Sequence, residues 1–311
     1  MLFRSQAGAV TIDAKTGVGH GNPIETTITS LDLDNDTSGN VEIGETDALN
    51  IIKIDQDGSG TVNIVAGGTI TVTGPVTATT GNVVLDANGG ASSIVVNAAV
   101  TTDDGNGGTA NGGDISLLAD ASVTFAAAGD VTSDGGVVTV TGDIAGGDNG
   151  GVITMTDGAV INAGTGAIGL STDGNVTLGQ LVTAGAVTIT STSGGVVDGG
   201  DAGVDIVAGA VTIDAKTGVG HAGNIETTIT SLDLDNTTSG NVDINETDAL
   251  SISKIAQGGT GTVNVDAGGT ITVAGAVTAT TGNVELDSAA SIAVNAAVTT
   301  DDGNGGTANG G

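Results

Sequence analysis

The residues best placed to do chemistry are carboxylates. Asp34, Asp36 and Ser38 put oxygens at positions 1, 3 and 5 of a twelve-residue stretch, with Gly39 at 6, Val41 at 8 and Glu45 at 12. That is the spacing with which a loop wraps Ca²⁺. The candidate ligands are therefore Asp34, Asp36, Ser38 and Glu45, with Ca²⁺ as the ion they would suit, but the expectation is that no metal or cofactor is bound, since the second copy has Thr237 in place of Asp36. Asp55 and Asp57 begin a second stretch the same way, but Ala66 stands at its position 12. The flanks of both stretches read as strands, not as the helices of an EF-hand, so an acidic, solvated turn is the preferred reading and the Ca²⁺ site the alternative. The Asp-Asp-Gly-Asn-Gly-Gly stretches at 103–108 and 301–306 resemble Ca²⁺ β-roll turns, without the tandem nonapeptide.

Catalytic groups are scarce. There are two His, His20 and His221, and no Cys. His20 reads as a turn residue. GxSxG does not occur as a strand-to-helix elbow. The basic residues are Arg4, Lys15, Lys53, Lys216 and Lys254, and the lysines read as solvated charges beside Asp. A polysaccharide-degrading enzyme on a parallel coil would need basic catalytic groups and sugar-stacking aromatics. The expectation is that the chain is not an enzyme. Thr69, Thr71 and Thr73 share one face of a strand, which admits an ice-binding reading, but the motif does not recur at every turn.

Composition limits the partners. The chain has 311 residues, 56 Gly, 36 acidic and 5 basic residues, and a net charge of −31. No basic patch can form, so nucleic acid is not an expected partner, and no apolar run is long enough for membrane insertion. Trp and Tyr are absent and Phe occurs twice, yet 38% of residues are hydrophobic. Small aliphatic residues punctuated by Gly suit a thin core filled layer by layer.

The elements that must position these residues are repeats. AGAVTIDAKTGVGH begins at Ala7 and again at Ala208, an offset of 201 residues, and 16 of the 80 aligned positions in 7–86 and 208–287 differ. A three-residue slip follows, and then 96–113 and 294–311 are identical. Within each unit, Val41, Val62 and Val83 step by 21 residues, as do Leu31 and Ile52. Each heads a short alternation of apolar and polar residues, the mark of a half-buried strand. Gly-Asn-Val precedes strands at 39–41, 81–83, 174–176, 240–242 and 282–284, where Gly and Asn can turn a tight corner.

Differences between the copies sort inside from outside. Val65, Val84 and Ile52 become Asp266, Glu285 and Ser253, while their neighbours stay apolar. An unpaired buried carboxylate would cost several kcal/mol, so these positions face water. Val10, Ile12, Val41, Ile43, Val62, Ile64, Val83 and Leu85 are expected to face the core. The fold expected is all-β, a single-stranded parallel β-helix or solenoid of about 21 residues per turn. It would have about 14 to 15 turns and form a rod of about 70 Å. A string of immunoglobulin-like sandwiches is the runner-up. Three segments are expected: a non-native or disordered leader at 1–6, a first unit at 7–207, and the first half of a second, continuous unit at 208–311. Met1–Ser5 reads as an assembly artefact (LFRS is what a common sequencing-adapter end encodes), and the chain as a fragment of a longer repetitive gene.

GGTITVTGPVTATTGNVVLDA at 67–87, SIVVNAAVTT at 93–102 and GGDISLLADASVTF at 112–125 resemble the repeats of filamentous-haemagglutinin-type bacterial adhesins. The resemblance implies a right-handed parallel β-helix and an extracellular or cell-surface location. It implies the role of a rod or stalk segment, with adjoining repeats of the parent protein as partners and a host or matrix surface engaged through other regions. The alternative function is a Ca²⁺-binding surface or biofilm interaction module.

Overall fold

Val41, Val62 and Val83, 21 residues apart in sequence, lie on successive rungs of one parallel ladder in the computed structural model. The structure describes residues 4–19, 21–103, 112–144, 150–200, 203–220 and 223–300. Among them there are 33 strands and no helix. The strand pairings are parallel throughout, so the chain coils with each turn hydrogen-bonded to the next. One column of inward residues runs the length of the coil: Ile24, Ile43, Ile64, Leu85, Leu117, Val140, Leu170, Ile189, Ile213, Leu234, Ile255, Val277 and Val298. The coil thus has about 13 turns, and at ~4.8 Å per turn it is about 60 Å long. The shortfall from 14 to 15 has a local cause. The step from Leu85 to Leu117 is 32 residues and that from Val140 to Leu170 is 30, because these turns carry longer loops.

Alternation decides burial. Val41–Glu45, Val62–Ala66 and Val83–Ala87 each show their first, third and fifth residues buried. Val41, Ile43, Val62, Ile64, Val83 and Leu85 are core residues, whereas Val10 and Ile12, on the first rungs, are only partly buried against it. Phe125 and Met155 stack on each other inside, so the coil does hold one large aromatic. Outward positions carry the substitutions: Val84 and Val65 are half-buried, and Glu285 and Asp266 are exposed. Ile52 is a different case. The ladder steps from Leu31↔Ile51 to Asp32↔Lys53, so Ile52 is the extra residue of a β-bulge, 45% exposed. The same bulge recurs at Ser253.

The Gly-Asn-Val corners work in two ways. Gly39 and Gly240 do take positive φ, as expected of a tight corner. Gly81 and Gly282 do not. There a Cβ would lie 1.8 Å from the carbonyl oxygen of Gly60 or Gly261 on the preceding turn, so close stacking requires glycine. The asparagines extend the ladder around the corner. Asn40, Asn82, Asn175 and Asn241 accept from the backbone N–H of Thr61, Asp114, Gly195 and Thr262 at 2.9–3.1 Å.

The two copies do not occupy the same walls. From Val41 the ladder reaches Leu232 after eight turns and Ile252 after nine. The twin of Val41 is Val242, midway between those two. Val242 sits instead on Val219 and Val196, in the column that began at Leu49. One unit is therefore about eight and a half windings.

Candidate functional site

The stretch 34–45 does not close around a common point. Asp34 occupies an outward position of the strand Ser30–Asn35 and pairs with the Lys53 ammonium, which also lies 3.4 Å from Asp55. Hydrogen bonding to Asp34 raises the Lys53 pKa. Asp36 is exposed and Ser38 half-buried. Glu45 points the other way. It ends the strand Val41–Glu45 in phase with Val41 and Ile43 and is buried. Its oxygens accept from Thr26 Oγ1 at 2.6 Å, Ile28 N at 3.0 Å and Asp47 N at 3.1 Å. Asp34 and Glu45 thus lie on opposite sides of the coil wall. Glu246 repeats the inward arrangement with Thr227, Ile229 and Asp248, and burial raises its pKa. The core also holds amide pairs, at the corner where Asn35 donates to the Ser38 and Gly39 carbonyls. Asn35 Nδ2 donates to Gln56 Oε1 at 2.6 Å, and Asn236 donates to Gln257 at 2.7 Å.

The structure assembles a different acidic group, at the junction of the two units. Asp198 ends the strand Val196–Asp198, Asp205 precedes Ile206–Ala215, and Glu226 lies near the start of Ile225–Asn236. Ligand oxygens of the three lie within 4.8 Å of one another. Backbone pairing fixes two of them: Asp205 N donates to Glu226 O at 2.9 Å, and Glu226 N donates to Asp205 Oδ2 at 2.8 Å. Gly200 N donates to Asp198 Oδ1 at 2.8 Å. Asp205 is buried, and burial pushes its carboxyl up to about 8. The Asp198 and Glu226 charges push the same way, and the Glu226 N–H opposes them. At neutral pH the group holds a proton. An all-oxygen set of this kind is also what a hard divalent cation takes. At the offset of 201, Asp205 corresponds to Arg4, whose backbone pairs opposite Glu25.

No protein-family model, curated protein or solved structure matches this chain. What can be said of its chemistry therefore rests on the geometry just described.

Sequence spacing held a signal for the junction. Asp205 and Glu226 are 21 residues apart, one turn of the coil, but two acids one turn apart are common here, and only the register shows that both sides converge. His20 and His221 lie outside the described residues, as do 104–108 and 301–306. Thr71 does point outward, and its ladder partner on the next turn is Val95, followed by Thr124, Thr154 and Thr177. Thr73 is drawn to Asn50, its hydroxyl donating to Oδ1 at 2.7 Å.

Proposed function

We propose that this chain is a structural rod, a stalk segment of a secreted or cell-surface bacterial adhesin that spaces a binding region from the cell. The observation that carries the reading is the single aliphatic column shared by all the turns. Each turn is held by its neighbours through both hydrogen bonds and apolar contact, so bending must break many weak contacts at once. The surface is acidic and its outward positions vary between copies, as suits a solvated spacer. The resemblance to filamentous-haemagglutinin-type repeats supports the surface location. Adjoining repeats would continue the rod, and other regions of the parent would meet host or matrix.

Small-angle scattering tests the rod: the expected profile is that of a cylinder about 60 Å long, and a globular profile would remove the reading. Antibodies against the chain should label intact cells of the source organism. Labelling only after permeabilisation would refute the surface location. The alternative, a Ca²⁺-dependent interaction module, is favoured by the three carboxyls at the unit junction. Titration calorimetry with Ca²⁺ separates the two: heat that disappears in Asp205→Ala supports the module, and no heat at millimolar ion supports the spacer.

A further inference from the structure

Six asparagines in the chain are followed by glycine, and Asn88 is the one that lies among the described residues. Its surroundings differ from those at the Gly-Asn-Val corners. There Asn40, Asn82, Asn175 and Asn241 each hold an N–H of the next turn. The N–H that follows each of them is bonded as well: Val41, Val83, Val176 and Val242 donate to the carbonyls of Thr61, Asp114, Gly195 and Thr262 at 2.8–3.0 Å. Asn88, Gly89 and Gly90 instead form an exposed corner after the strand Val83–Ala87. The Asn88 N–H donates to Ala66 O at 3.0 Å, and the Gly90 N–H donates to Asp120 Oδ2 at 2.6 Å. Between these two anchors, neither the Asn88 carboxamide nor the Gly89 N–H has a hydrogen-bond partner among the described residues. Gly89 has no Cβ to shield its nitrogen, and a Cβ there would overlap the Gly67 carbonyl, so packing keeps glycine at this place.

From this we infer that Asn88 is a site of spontaneous self-modification, its carboxamide carbon attacked by the Gly89 nitrogen. The bond from Gly89 N to Asn88 Cγ forms and the Cγ–Nδ2 bond breaks. The Gly89 proton leaves with the side-chain nitrogen as ammonia. Water then opens the five-membered imide. Attack at Cγ leaves aspartate at position 88. Attack at the main-chain carbonyl leaves isoaspartate, in which the chain runs through the side chain. Water is the one co-reactant, and it reaches the corner because residues 88–91 are exposed. With both reacting groups unheld, no hydrogen bond has to break first. The second copy supplies a blank. At its matching corner Ala289 N donates to Ala267 O, as Asn88 N does to Ala66 O, and the residues there are Ala289 and Ala290. The carboxylate formed would join a corner where acids already repel: burial, and then the Asp120 charge, raise the Asp86 pKa.

The inference rests on the coil and not on surface export, and its failure would leave the rod reading standing. The test incubates the whole chain for weeks at neutral and at mildly alkaline pH, then reads each asparagine by peptide mass and isoaspartate analysis. The expected result is conversion of Asn88 to both products, faster in alkali, where the Gly89 nitrogen loses its proton more readily. Asn111–Gly112 is the internal comparison, because the Gly112 N–H donates to Asp134 O at 2.9 Å. That bond must open first, so Asn111 should convert about five- to tenfold more slowly. Asn88→Gln moves the amide one carbon out of reach of a five-membered ring. It should remove the products at position 88 while Asn111 keeps its rate, and an exposed position tolerates the change. An Asn88 that stays intact overturns the proposal, as does a rate at Asn88 no greater than that at Asn111. Aspartate without isoaspartate also overturns it, because direct hydrolysis of the side-chain amide forms no imide.

Discussion

The stretches 7–86 and 208–287 are nearly one sequence in two surroundings. In the first, the strand Ala9–Ala14 lies on the opening rungs and its aliphatic residues are half open. In the second, the same strand sequence is paired on both sides, over Ala210 to Asp214 on one and Ala210 to Ala215 on the other, and Val211 and Ile213 are buried. Local sequence therefore sets which way a side chain points, and the neighbouring turn sets how much that direction is worth. The substitutions between copies agree. They gather at outward positions, in turns and at the bulge, where Ile52 in one copy is Ser253 in the other. They spare the inward Glu45 and Glu246, whose hydrogen bonds to Thr26 and Thr227 match.

The comparison can be broken most directly at Val83. Val83→Asp should place an unpaired carboxylate in the middle of the column and cost several kcal/mol, opening the neighbouring turns to protease. Val84→Asp should leave digestion unchanged, since its twin is already Glu285. Equal sensitivity of the two variants would overturn the assignment of faces. A smaller contrast separates twins. Ile213→Ala should cost about 2–5 kcal/mol in denaturant unfolding, and Ile12→Ala about 1 kcal/mol or less.

Smaller again is a pH effect confined to the junction. The Asp205 pKa is raised to about 8 from an ordinary value of 3.8. The folded chain therefore keeps a proton that the unfolded chain releases. The stability this gives is complete in acid and is lost as pH climbs through about 8. The melting temperature should fall between about pH 4 and about pH 8. Asp205→Asn should flatten that slope and raise the midpoint at neutral pH by a few degrees. The smallest effect concerns lysine. Lys53 faces Asp34 and Asp55, but Lys254 pairs with Asp235 alone, because Ala256 replaces the second acid. These side chains are well exposed, so Lys53→Ala and Lys254→Ala should each change stability by less than about 1 kcal/mol. The Lys53 variant should be the more costly, and the gap should close in high salt.

Much of the coil was legible because its period is written in residues that can do little else. Val41, Val62 and Val83 announce a step of 21, and Val84 with Glu285 announces the outer face. The turn count was less legible, because loop length between Leu85 and Leu170 leaves the inward pattern intact while stretching the step. The acidic stretch at 34–45 shows what residue spacing leaves out. Ca²⁺-loop spacing treats Asp34 and Glu45 as parts of one loop, but Glu45 shares its phase with Val41 and Ile43. Counting by twos from Val41 already sends its carboxylate into the core. The bulge at Ile52 and the convergence of Asp198, Asp205 and Glu226 depend on register between turns, which no single turn encodes.

The half-winding left over in each unit has a geometric outcome for any longer array built on the same step. Identical side chains recur about every 41 Å along the axis, but on alternate flanks, as leaves do on a stem. A feature carried once per unit would then face two directions in turn, returning to the same flank only after about 82 Å. A fibre decorated in that way could hold neighbours on both sides with a single kind of contact.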